Sequence, residues 1–154
     1  MLPTLLRRTR SRALPLITAT ALLAAVGVAA PALAATPTSG TVSDTSTSVQ
    51  WGAGPFVAAN VTGATGGVTC GPDLCDDFAL HVATPAGYGD THQLTIKVGW
   101  QNAAADFDVY LLDPSGAVVA SSASSSDPEV IVTAPTSGDF TVRVVPYAPL
   151  GESI

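Results

Sequence analysis

The chain has 154 residues, 47% of them hydrophobic and only 12% charged, and a formal net charge of −6. That length suits one ordinary domain and argues against a large multi-domain enzyme. The charge is unevenly placed: Arg7, Arg8, Arg10 and Arg12 are four of the six basic residues, and all twelve acids fall at or after Asp44.

Residues 1–34 read as a secretory signal peptide. An arginine-rich start leads into an apolar run from Leu14 to Ala30, then Pro31 and the small-residue site Ala32-Leu33-Ala34. The rival reading is an uncleaved membrane anchor. A run of about 17 residues broken by Thr18, Thr20 and Gly27 barely reaches across a bilayer, which favours cleavage. Twin-arginine export fits poorly, because Thr9, Arg10 and Ser11 follow the Arg7-Arg8 pair. The mature chain is therefore expected to be secreted, without membrane attachment. Only Lys97 and Arg143 then oppose the twelve acids, a net charge of −10. Such a surface repels phosphate backbones and anionic lipid, which argues against nucleic-acid and polybasic membrane partners.

Residues 35–50 are rich in Thr and Ser with no apolar period, and read as a flexible leader or a loose edge. The β-sandwich domain is expected over 51–154. Its first part, 51–67, holds Trp51, Phe56 and Val57 among glycines and suggests irregular strand and loop, with a sequon at Asn60-Val61-Thr62. Cys70 and Cys75 bracket Gly71-Pro72-Asp73-Leu74. In an exported protein the default is one local disulfide closing a turn. The spacing is not that of a Cys-x-x-Cys redox pair, and a zinc site would need both His81 and His92.

From Asp77 onward the alternation is clear. Phe78, Leu80 and Val82 share one face opposite Ala79 and His81, and Leu94, Ile96, Val98 and Trp100 repeat the pattern after the loop 83–90. Phe107 to Leu112 leads into Asp113-Pro114-Ser115-Gly116, where Pro at the second position and Gly at the fourth suit a type I turn, and Ala117 to Ala120 returns as the hairpin partner. Val130-Ile131-Val132 and the alternating Phe140, Val142 and Val144 complete the set. Short strands at this spacing without a helical period predict an all-β, antiparallel sandwich.

These strands carry a family resemblance. Phe78-x-Leu80-x-Val82, Leu94-Thr95-Ile96-x-Val98, Asp106-Phe107-Asp108-Val109-Tyr110-Leu111, Asp113-Pro114-Ser115-Gly116 and Gly138-Asp139-Phe140-Thr141-Val142-Arg143-Val144 together resemble the bacterial pre-peptidase C-terminal domain. The resemblance spans Asp76 to Tyr147. It implies a jelly-roll-like β-sandwich appended to secreted proteins, including proteases, that is non-catalytic, in some members assists substrate or matrix binding, and in some binds calcium. Partners implied are an extracellular protein or polysaccharide and a covalently linked downstream domain. Domains of this kind usually continue into a further short strand beyond the tail Pro149 to Ile154, so either that strand comes from elsewhere or the sequence is the front part of something longer; an unpaired edge there would favour association.

Candidate chemistry is sparse. Calcium needs six to eight oxygen ligands, and Asp77, Asp106 and Asp108 at strand ends are the candidates, with Asp76 beside Asp77 and Asp44 in the leader. No EF-hand is present, since Leu111 and Ala117 stand where its Gly and Glu would be counted from Asp106. The competing reading makes these aspartates turn caps. No cofactor is required. No Gly-x-Ser-x-Gly, His-Glu-x-x-His or phosphate loop occurs, so a small hydrolase would have to use His81 or His92 as base, and both read as surface residues. Of the aromatic residues, Trp100 is in register with the core positions, while Tyr88 in its glycine loop reads as exposed.

Overall fold

The computed structural model describes residues 33–61 and 74–154. They form nine strands: β1 (Leu33–Thr36), β2 (Ser39–Ser43), β3 (Gly52–Gly54), β4 (Asp76–Ala83), β5 (Leu94–Val98), β6 (Asp106–Leu112), β7 (Val118–Ser122), β8 (Glu129–Thr133) and β9 (Gly138–Ala148). A single 3₁₀ turn, Tyr88–Asp90, interrupts them. The described chain is all-β.

One sheet has the order β2-β4-β9-β6-β7, and two two-stranded sheets, β5-β8 and β1-β3, accompany it. Side chains on one face of each strand meet between the layers. Phe78, Leu80 and Val82 of β4, Ile96 and Val98 of β5, Phe107, Val109 and Leu111 of β6, Ile131 of β8 and Val142 and Val144 of β9 form one buried cluster with Trp100 and Phe56. Trp51 stacks on Phe78 with ring centroids 4.5 Å apart, and Phe56 meets Phe107 edge-on at 5.6 Å. This is the expected β-sandwich. Strand β6 is also covered on its second face, where Tyr110 and Leu112 pack with Cys75 and Val145.

The hairpin β6–β7 follows its sequence. Gly116 N donates to Asp113 O at 2.9 Å, and Gly116 takes φ 81°, a left-handed conformation that favours glycine. Asp113 Oδ1 accepts from the Ser115 and Ala117 amides at 2.8 and 3.0 Å, which closes the turn.

Two expectations are corrected. Residues 35–50 do not all lie outside the sandwich, since β2 is the edge strand of the main sheet and Ala35 of β1 is in the core. Backbone pairing places β2, register Thr41 to His81 and Val42 to Val82, so no apolar period was needed to recruit it. The sheet is not wholly antiparallel, because β2 runs parallel to β4. The tail pairs alongside β3. Ala53 N donates to Ile154 O at 3.2 Å, Ile154 N to Ala53 O at 3.0 Å, and Phe56 N to Glu152 O at 2.8 Å. A turn through Leu150 (φ 51°) and Gly151 (φ 82°) brings that segment back alongside β3.

Candidate functional site

Strand β4 carries most of the notable polar chemistry, and its alternation decides which group faces where. Its burial runs strictly buried, exposed, buried, exposed from Asp76 to Ala83. Asp77 and His81 therefore face outward and Asp76 inward.

On the outward face His81 is level with Asp139 of β9 and with Thr41 of β2. His81 Nδ1 lies 2.6 Å from Asp139 Oδ1. The pair sits in a shallow depression of about 410 Å³ that includes Ser39, Thr41 and Thr141. A carboxylate holding a histidine ring is half of a hydrolytic triad, but the side chains are 50% and 80% exposed. Among the described residues no hydroxyl is hydrogen-bonded to His81. His92 is committed elsewhere: its ring stacks on Tyr88 at 3.8 Å, and Nδ1 lies 2.9 Å from Thr91 Oγ1 and 3.1 Å from Tyr88 O. Tyr88 is thus half-buried against a histidine instead of fully exposed. The two histidines do not share a site.

The calcium candidates are separated in the same way. Asp77 is held by Arg143 across the β4–β9 ladder, with both carboxylate oxygens accepting from the guanidinium at 2.7 Å. That fork raises the Arg143 pKa, the Asp77 hydrogen bond outweighing burial. Strand β9 stands between Asp77 and the other two candidates on β6. Asp108 Oδ2 accepts from Tyr110 OH at 3.3 Å, and Asp106 Oδ1 is buried without a hydrogen bond among the described residues. Burial first and neighbouring carboxylates second hold both carboxyls above the ordinary value; the neighbours are Asp106 and Glu129 for Asp108, and Glu129 for Asp106. Among the described residues no group of three or more His, Cys, Asp or Glu is placed to hold a metal ion.

Other groups were missed in the sequence. Glu129 is buried and organises the serine loop before β8, accepting from Ser122 Oγ, from Ser124 N at 2.8 Å and from Ser124 Oγ at 2.6 Å. Its inward position could have been read from Ile131, two residues on along the same face. Asp76 is 4% exposed, and its Oδ1 accepts from Ala35 N at 2.7 Å. Counting back two residues from Phe78 would have placed it. Asn60 is also buried, with Nδ2 donating to Leu74 O at 2.9 Å, so the sequon amide is enclosed in the fold. Cys75 is buried and no described cysteine is free, while Cys70, its expected partner, lies outside the described residues. Residues 1–32 of the leader also lie outside them.

The fold and these pairs define an all-β sandwich domain whose titratable groups mostly hold strands and loops together. Residues 88–146 match the family model described as the bacterial pre-peptidase C-terminal domain. That family is a non-catalytic accessory domain. The match begins at the 3₁₀ turn and takes in β5 to β8 and most of β9, leaving β4 outside it although β4 pairs with β9. No curated protein matches the chain significantly. Among the described residues no helix is long and apolar enough to cross a membrane.

Proposed function

We propose that this chain is an exported, non-catalytic β-sandwich module that acts outside the cell, binding an extracellular protein or polysaccharide or spacing a covalently linked enzymatic or adhesive domain. The match of residues 88–146 to an accessory-domain family, laid over strands that build the core, carries this reading. The leader with its Ala32-Leu33-Ala34 site supports export, and a Cys70–Cys75 bridge suits an oxidising compartment. The module is assigned no cofactor and no nucleic-acid partner. A melting temperature raised by millimolar calcium over chelator would overturn the first of these.

Fusing the module to a reporter hydrolase tests the role. The fusion is expected in the culture medium, with the reporter's rate on a soluble substrate unchanged. A higher rate on insoluble polysaccharide or matrix protein identifies binding, and an equal rate identifies spacing. Retention of the fusion inside the cell contradicts the proposal.

The second reading, a small secreted hydrolase, draws on the Asp139–His81 contact. It is the weaker one, because a general base needs a hydroxyl or water held in a sheltered site, and this histidine is half exposed on an open sheet.

A further inference from the structure

The inward Asp76 carboxylate is an incomplete site. It is 4% exposed, yet the donors that lower its pKa are both neutral: the Ala35 amide, 2.7 Å from Oδ1, and the Trp51 side chain. Oδ2 is buried with no hydrogen-bond partner among the described residues, and so is the Trp51 Nε1 that faces it. Charge nearby makes matters worse: Asp77 is next in sequence, and the Arg143 guanidinium is taken by Asp77 on the opposite face. A carboxylate buried against neutral donors alone is under-compensated, and burial, which outweighs them, raises its pKa.

The donor to Asp76 is the nitrogen of the residue that follows the Ala32-Leu33-Ala34 site. We propose that hydrolysis of the Ala34–Ala35 bond creates the missing partner: the new α-ammonium of Ala35 forms a buried ion pair with Asp76, so that removal of the leader locks β1 into the sandwich. Water adds across the peptide bond, the carboxylate leaves with Ala34, and the amine on Ala35 takes up a proton. An ammonium offers three donors where the amide offered one, enough for Oδ1 and the unpartnered Oδ2 together. Ala34 is exposed, so its loss removes no buried side chain, while Ala35, 2% exposed, stays in the core. The Thr36–Gly52 pairing of β1 with β3 survives the loss of Leu33. Among the described residues, all of the core lies at Ala35 or beyond.

The inference rests on export with processing after Ala34, and its test separates the two. N-terminal sequencing of the protein exported from the full chain is expected to begin at Ala35, and any other start overturns the processing step. The ion pair is tested on the processed protein against the same protein acetylated at Ala35, which restores the neutral amide and its N–H. Acetylation is expected to lower the melting temperature by about 5 °C or more, as for a buried charge stripped of its partner. In Asp76→Asn the same acetylation is expected to change little. Equal melting of the free and acetylated forms of the native sequence overturns the pair. A second readout does not depend on stability: an amine-acylating reagent should modify exposed Lys97 of the folded protein well before Ala35. Equal labelling of the two also overturns it.

Discussion

The two faces of β4 hold neighbouring acids in opposite circumstances. Asp77 faces solvent and is gripped by Arg143, and two residues before the strand's end His81 meets Asp139 in the same manner. Asp76 faces the core beside Trp51 and Phe78, and the donors that meet it, the Ala35 amide and the Trp51 side chain, are neutral. The His81–Asp139 contact lies between exposed side chains, and the Asp77–Arg143 fork joins an exposed carboxylate to a half-buried guanidinium, so water still reaches both outward contacts. The inward carboxylate carries its full desolvation cost, so whatever completes it matters more. The polar groups visible at the surface are therefore a poor guide to where this domain stores stability or function.

That contrast can be broken from either side. The largest effect should come from the inward face. Phe78→Ala removes a fully buried ring that stacks on Trp51 and is expected to cost about 3–5 kcal/mol in denaturant unfolding. Gly40 comes next, since a Cβ on this edge strand would run into Val49 and the Phe78 ring. Gly40→Ala is expected to cost about 1–3 kcal/mol by the same measurement. An outward change should do less: Arg143→Met, which removes the fork to Asp77, is expected to cost about 1 kcal/mol or less, and less still in high salt.

The smallest effect sharpens the comparison through pH. Asp106 and Asp108 have native pKa values raised above the unfolded value of about 3.9, chiefly by burial. Between the unfolded and native values the folded chain binds more protons, so stability falls as pH rises through that window and stays lower at neutral pH. Asp113 runs the other way: hydrogen bonds, led by Ser115, lower its pKa, and its contribution is lost on acidification through the native value. Asp108→Asn is expected to give a small gain in melting temperature at pH 7. The gain should disappear below the ordinary carboxylate range. A loss at pH 7 would mean that the Asp108 charge has a counter-ion.

Much of the sandwich was legible because its strands are half-buried and alternate. Phe78-Leu80-Val82, Leu94-Ile96-Val98 and the Asp113–Gly116 turn carry their own periodicity and turn chemistry, and they fold as read. Strands β1 and β2 do not, because an edge strand is held by backbone hydrogen bonds that Thr, Ser and Gly make as well as any residue. The parallel β2–β4 pairing was hidden for the same reason. At the candidate site, residue type misled where face did not. Asp76-Asp77 reads as a pair of loop-end acids, yet the period of two sends one into the core and one to Arg143. Glu129 is sent inward by the same period of two, counted back from Ile131. The Asp139–His81 contact is a long-range pairing, 58 residues apart, that no local pattern announces.

We propose that the domain does no chemistry of its own. This is tested most directly by turnover of protease, esterase and glycosidase substrates with the purified exported protein beside its His81→Ala variant. The account predicts that both give the rate of buffer alone. Turnover by the native protein that His81→Ala abolishes would contradict it.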